Sequence, residues 1–188
     1  MADITLVKGE TSALDRTWMS TPDGSTQQVA VHPVHDLPHL VVESLFGIED
    51  GLWGVLARGG FAAANRARTR SRGRRARLVT DEPLDALGAA SWRGHIVAKA
   101  ATNAVMNRWQ DGPDTPDGVR ARLSPDAAAD ADYRQRAGDL LGRLDDATIA
   151  LAISGARELS TAWARLPAGG TLRLQWPLPR GDIRSFAV

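Results

Sequence analysis

The fold of this 188-residue chain depends on residues 32–55, which read HPVHDLPHLVVESLFGIEDGLWGV. The apolar residues from Leu37 to Val55 follow a helical period, whereas the residues before them form the short apolar runs of β-strands. Asp36 is expected to be the N-cap of the first helix, with Pro38 in its first turn, where a missing N–H is tolerated. This stretch therefore marks the change from a strand-forming N-terminus to a helical middle.

Strands are predicted at both ends of the chain. Three N-terminal runs have strand-forming composition: residues 4–8, 17–21 and 26–31. The last two flank a turn of proline, aspartate and glycine, as in a β-hairpin. Near the C-terminus every second residue from Leu172 to Trp176 is apolar, which is the period of a half-buried strand.

The helical period recurs between these strands. After the first segment, which Gly47 divides, a helix is predicted from Leu84 or Ser91 to Trp109, and two more follow over about 133–144 and 146–168. Strands at both ends with helices between them predict one α+β domain over residues 1–188. Its antiparallel sheet is formed by the N-terminal hairpin strands and the C-terminal strand, packed by three to five helices.

Two segments are expected to be loops within this domain. Residues 62–78 are rich in arginine and glycine and are predicted to be mobile. Residues 111–125 contain three prolines and two glycines and are predicted to be an exposed loop.

Composition limits the classes of function. The chain has no cysteine, which excludes disulfides, thiolate metal sites and cysteine nucleophiles. Hydrophobic residues make up 43% and charged residues 24%, which are values typical of globular domains. The sequence has neither a signal-peptide pattern nor an apolar run of the ~18 residues that a membrane span needs, so the cytoplasm is the expected compartment.

One segment is strongly basic. It carries seven arginines and no acidic residue: Arg66, Arg68, Arg70, Arg72, Arg74, Arg75 and Arg77. Without them, 23 − 7 = 16 basic residues remain against 22 acidic ones, a net charge of −6. Clustered cations bind nucleic acid or an acidic protein partner, because they release counterions from a polyanion. No aromatic residues alternate with these arginines, so a solvated loop is the alternative interpretation.

The candidate functional site lies at the start of the first helix. Four residues there have side chains that bind divalent metals or transfer protons: His35, Asp36, His39 and Glu43. His39 and Glu43 are one helical turn apart, so both could reach one ion, and His95 is a fifth candidate if its helix packs alongside. The expected cofactor is a divalent metal (zinc, manganese or iron). The plainer alternative is a helix cap, an i, i+4 pair and loop histidines.

Helical geometry also places these polar residues relative to the core. At ~100° per residue, Asp36, His39, Glu43 and Asp50 fall on the side opposite the apolar residues. We therefore expect this polar stripe to face solvent, a cleft or a partner.

The same residues resemble sequence blocks of known families. His35-Asp36-Leu-Pro-His39-Leu-Val-Val-Glu43, followed by Gly47-Ile-Glu-Asp-Gly-Leu-Trp-Gly54, resembles a group of uncharacterised bacterial proteins with a His-Asp-x-x-His-x-x-x-Glu block and then a glycine/aromatic block. That resemblance implies no established activity. His-Asp-x-x-His is also similar to the metal motif of the ubiquinone-biosynthesis scaffold family, but Gly51 stands where that family has its next glutamate, and nothing else in the chain matches.

Three functional hypotheses follow from the sequence. The first is a small cytosolic protein with a divalent-metal or acid–base site at His35, Asp36, His39 and Glu43, which would use metal-activated water on a small substrate if it is an enzyme. The second is a non-enzymatic adaptor that binds nucleic acid or an acidic partner through arginines 66–77. The third is a homo-oligomer in which the polar stripe is an interface. The sequence leaves open whether the protein is an enzyme.

Overall fold

A four-stranded antiparallel sheet joins the two ends of the chain. The computed structural model describes residues 1–20, 24, 26–29, 31–58, 88–107 and 113–179. The strands are β1 (Ala2–Val7), β2 (Arg16–Ser20), β3 (Thr26–Val29) and β4 (Thr171–Trp176). They lie in the order β3-β2-β1-β4, so the C-terminal strand pairs with the first strand. The predicted mobile loop at 62–78, with its arginines, lies outside the described residues.

Alternation along the strands places one face of the sheet on the core. In β1, Ile4 and Leu6 are fully buried, and they pair with Leu174 and Leu172 of β4. The intervening residues of β4 are exposed, as the period of two requires. The prediction of strands at both ends in one antiparallel sheet is confirmed.

The described ranges contain six α-helices: α1 (Pro33–Phe46), α2 (Leu52–Ala57), α3 (Gly88–Met106), α4 (Pro116–Leu123), α5 (Ala131–Leu141) and α6 (Asp146–Arg165). The α+β fold class is confirmed, with more helices than the three to five expected. Helix α1 is central, since it contacts α2, α3 and α6. The core combines these helices with the inner face of the sheet.

Helix α1 begins about one turn earlier than the sequence suggested. His32 is the N-cap residue and Pro33 occupies the first turn, so Asp36 lies inside the helix rather than at its cap. The Asp36 carboxylate still stabilises the start of the helix, because Oδ2 accepts a hydrogen bond from the N–H of the N-cap residue His32 at 2.7 Å. Gly47 ends the helix with φ 64°, a left-handed conformation that glycine adopts without strain.

The prediction of an exposed loop at 111–125 is wrong for residues 116–123, which form α4. Thr115 is its N-cap, with Oγ1 accepting the Gly118 N–H at 3.2 Å, and Pro116 begins the helix. Val119 and Leu123, one turn apart, are fully buried. One of the prolines that indicated a loop, Pro116, stands at a helix start, where proline is favoured. The helix is stabilised because the two buried side chains pack it against α3.

Candidate functional site

The Glu43 side chain caps a second helix. Gly51 precedes α2 and has no side chain that could accept hydrogen bonds from its first N–H groups. The carboxyl of Glu43, on α1, accepts these hydrogen bonds instead. Oε1 accepts the Leu52 N–H and Oε2 accepts the Trp53 N–H, each at 2.9 Å. A β-carbon on Gly51 would collide with this carboxyl group. The glycine and the glutamate therefore form one structural unit that ties α2 to α1.

The Glu43 carboxyl is fully buried, and its pKa reflects that position. Burial raises the pKa from 4.5 to about 8, because removal from water disfavours the charged form. The backbone N–H groups of residues 52–54 act in the opposite direction, and the charge of Asp36 adds a small increase.

Two residues of the polar stripe, His39 and Glu43, do not face outward as expected. His39 is 2% exposed and Glu43 is 0% exposed. The expectation assumed that α1 has one buried face, but α6 covers one side of this helix while α2 and α3 cover others. These two residues therefore lie inside the chain, and the hypothesis that the stripe forms an oligomer interface is wrong for them.

Three imidazole rings lie next to one another here, with the buried His39 between the exposed His35 and the partly buried His95. The ring centroids of His35 and His39 are 5.5 Å apart, and those of His39 and His95 are 6.3 Å apart with nearly parallel planes. The first two rings come from α1 and the third from α3, which packs against it. The three candidate histidines are thus neighbours, and they include the one from the distant helix.

Oxygen atoms flank the Nδ1 atoms of two of these rings. Asp36 Oδ1 lies 2.7 Å from His35 Nδ1. Thr102 Oγ1 lies 3.2 Å from His39 Nδ1, and Glu43 Oε1 lies 3.7 Å from the same atom. A carboxylate at Nδ1 places the proton there and leaves the lone pair on Nε2, so the Asp36 contact sets the tautomer of His35.

The third ring, His95, is neutral at pH 7. Its pKa is lowered from 6.5 to about 4, mainly by burial and to a smaller extent by the neighbouring His39 and Lys99. The ring forms part of the wall of a cleft of about 450 Å³, together with Ile96, Lys99, Ala100, Asn103 and Tyr133. Of the three imidazoles, His95 is the one that lines this cleft.

The carboxylates of the site are already engaged. Glu43 accepts two N–H groups of α2, and Asp36 contacts His35 and the His32 N–H. As the side chains stand, no three or more His, Asp or Glu residues of the described ranges are arranged so that they could hold a metal ion. The chemistry of the imidazoles suits zinc, manganese or iron(II), but their present orientation does not converge on one point.

Two residues of the site carried little signal in the sequence. Thr102 shares a helical side with His95, seven residues earlier, but a threonine in a helix usually needs no special explanation. Trp53 is fully buried, and its Nε1–H donates to the Asp36 carbonyl at 2.8 Å. It therefore holds the start of α1 against α2. The contacts of Thr102 with His39 and of Trp53 with Asp36 depend on how the helices pack.

Comparisons with known proteins identified no relative of this chain. No protein-family profile matches this chain, and searches of curated proteins and of solved structures found no significant match. Among the described residues, no helix has both the length and the apolar character that crossing a membrane requires.

Proposed function

We propose that this protein binds one divalent transition-metal ion through His35, His39 and His95. The observation that carries the proposal is the row of three imidazoles, with ring centroids 5.5 and 6.3 Å apart, built from two helices. Imidazole is the commonest protein ligand for zinc and a frequent one for iron(II) and manganese. Three imidazoles brought together from two helices are a more specific signal than the spacing of the histidines in the sequence.

The partners of the imidazoles support this assignment. Histidine ligands commonly donate their second ring N–H to a carboxylate or another oxygen, which orients the ring and fixes the tautomer. Thr102 holds this position beside His39, and Asp36 contacts His35 Nδ1 until that ring turns toward the other two. Backbone N–H groups of α2 and of His32 occupy the carboxyl groups of Glu43 and Asp36, so we assign both residues to the support of the site rather than to the coordination of the metal.

The proposal requires one side chain to turn. The His35 side chain is 54% exposed, so its ring can change rotamer without disturbing the core. The other two rings are held between α1 and α3. Three protein ligands would leave a coordination position for water, and a bound metal ion would supply Lewis acidity toward that water or a substrate. Hydrolysis of a small substrate is the reaction class that we propose.

Metal titration of tag-free protein tests this function. We expect isothermal titration with zinc, manganese or iron(II) to show one ion bound per chain for at least one of the three metals. His35→Gln, an exposed change, is expected to weaken binding by ten-fold or more. His32→Gln is the matched control, since His32 is also exposed and three residues away. Absence of binding by all three metals, or equal binding by the two variants, would overturn the proposal.

A second candidate function rests on the arginine segment. Seven arginines without an acidic neighbour, in a chain otherwise of net charge −6, favour an adaptor that binds nucleic acid or an acidic partner. We expect binding to double-stranded DNA or RNA that weakens steeply with salt and is lost when residues 66–77 are deleted. Binding that is absent, or unchanged by the deletion, would exclude this function.

The expected cellular compartment belongs to the same proposal. We propose that the protein acts in the cytoplasm. Cell fractionation with an antibody against the untagged protein checks this, and recovery in a membrane or extracellular fraction would contradict it.

A further inference from the structure

The cleft beside His95 has a chemical character of its own. It lies where α3 meets α5, and its volume is about 450 Å³. Ile96, Ala100 and Tyr133 give it apolar walls, and Ile96 is one of the few large apolar side chains with substantial exposure, at 39%. An apolar surface of this size, open beside an imidazole, suits the body of a small organic molecule.

Of the residues that the structure describes, one cationic side chain lines this cleft. Lys99 is exposed, and among the residues that the structure describes no carboxylate forms an ion pair with it. Its ammonium group therefore keeps its charge available for a ligand. Asn103, four residues further along α3, adds an amide that can donate or accept a hydrogen bond.

A second cleft between α3 and α5 has a different charge pattern. It is lined by three aspartates, Asp50, Asp132 and Asp139, and by two arginines, Arg136 and Arg143. Its Arg136 already pairs with two of them, at 3.1 Å to Asp50 Oδ2 and 3.2 Å to Asp132 Oδ2. An anion would meet three carboxylates there, whereas the described residues that line the His95 cleft include Lys99 and no acidic residue.

We propose that the His95 cleft binds a small organic carboxylate with an apolar body, whose carboxylate lies toward Lys99 and whose body contacts Ile96, Ala100 and Tyr133. This inference rests on the proposed function in one respect, since it makes the cleft the substrate site beside the metal ligands. The burial that raises the pKa of Tyr133 keeps its hydroxyl neutral at pH 7, so that residue does not repel an anion.

Benzoate and its uncharged amide, benzamide, test the proposal. Both are titrated into metal-free protein in the presence of a chelator, with backbone amide shifts in NMR as the readout. We expect benzoate to bind at least five-fold more tightly than benzamide and to shift the amides of residues 95–103. Lys99→Gln should remove the preference for benzoate, and Ala100→Leu, which fills the cleft, should weaken both ligands. Arg165→Gln is the control, because it removes a positive charge from α6 outside the cleft.

The outcomes separate this inference from the metal proposal. Failure of benzoate to bind at millimolar concentration, equal affinity for benzamide, or binding that Lys99→Gln leaves unchanged would overturn the carboxylate site. His35→Gln is expected to leave benzoate binding unchanged, because His35 does not line the cleft. If benzoate binds in this way while no metal binds, the proposed function fails and the carboxylate site stands.

Discussion

Gly51 shows how an absent side chain can determine the place of another residue. Its φ of −78° is open to any residue, so the glycine is not needed for the backbone. It is needed because the Glu43 carboxyl occupies the space where a β-carbon would lie. The glycine/aromatic block therefore has a structural explanation: Gly51 admits the carboxyl that caps α2, and Trp53 anchors α2 to the start of α1.

Gly51→Ala is expected to destabilise the protein. The methyl group would displace a buried, hydrogen-bonded carboxyl, and overpacking of this kind costs about 1–3 kcal/mol of unfolding free energy. Gly138→Ala is the matched control, because nothing lies within 4 Å of the added β-carbon in α5, and alanine should stabilise that helix by ~1 kcal/mol. Urea unfolding of the two variants measures the difference. Equal effects would contradict the close contact with Glu43.

The buried Glu43 carboxyl predicts a stability that falls with rising pH in metal-free protein. Below its unfolded pKa of 4.5 the group is protonated in both states. Between pH 4.5 and about 8, only the unfolded chain loses this proton. The unfolding free energy therefore falls by at most about 1.4 kcal/mol per pH unit. His95, whose folded pKa is about 4, acts oppositely, because its contribution is lost as pH falls below 6.5.

Between pH 6.5 and 8, only Glu43 of these two residues makes the unfolding free energy depend on pH. We expect the wild-type unfolding free energy to fall over this range, and Glu43→Gln to be flatter whatever its absolute stability. Urea unfolding at half-unit pH steps measures both slopes. His39 and the amides of α2, which face the carboxyl, are present in both proteins. Parallel slopes would show that the carboxyl is ionised in the folded state.

At the level of secondary structure, α4, α5 and α6 each begin at an N-cap residue whose side chain accepts a hydrogen bond from the first turn. The Asp145 cap of α6 is one such start, with Oδ1 accepting the Thr148 N–H at 2.7 Å. Asp145→Ala should lower the unfolding free energy by about 1 kcal/mol. Glu158→Ala, an exposed change in the middle of the same helix, should remain within about 0.5 kcal/mol of wild type. A cap variant as stable as this control would show that the cap contributes nothing.

The sequence predicted most elements, because their signals are local. Alternation predicted β4, apolar spacing predicted α5, and the aspartates at 145 and 146 gave the start of α6 within one residue. The start of α1 was placed late because Asp36 has an N-cap composition, whereas Pro33 and the N-cap His32 begin the helix. Helix α4 was missed because proline signals both loops and helix starts.

At the scale of the whole molecule, the first and last strands belong to one sheet. Leu6 of β1 is fully buried and pairs with Leu172 of β4, so the two chain ends contribute to the same core. Leu6→Ala should cost about 2–5 kcal/mol, whereas Arg173→Ala, on the exposed side of β4, should cost less than about 0.5 kcal/mol.

The shared core also predicts cooperativity. Tryptophan fluorescence reports on the burial of Trp53 and Trp163 in helices, and far-UV circular dichroism reports on all the secondary structure. Because one hydrophobic cluster includes both ends of the described chain, the two probes should give the same midpoint in urea, for the wild type and for Leu6→Ala. Separate midpoints would contradict a single cooperative unit.

The burial of the site residues could not be predicted from the sequence, because it depends on how many helices pack around α1. The sequence identified His35, Asp36, His39, Glu43 and His95 as candidates. Periodicity tells which residues share a side of one helix, but it does not tell how many neighbours cover that helix. Helix α1 is covered by three others, so residues expected at the surface are buried and contact α2 and α3.

The X-ray absorption spectrum of zinc-loaded, tag-free protein tests the central claim most directly. We expect a first shell of nitrogen and oxygen at about 2.0–2.1 Å, with outer-shell scattering from three imidazoles that falls by one ring in His35→Gln. A protein that takes up no zinc, or a spectrum with oxygen ligands and no imidazole scattering, would contradict the assignment of His35, His39 and His95 as a metal site.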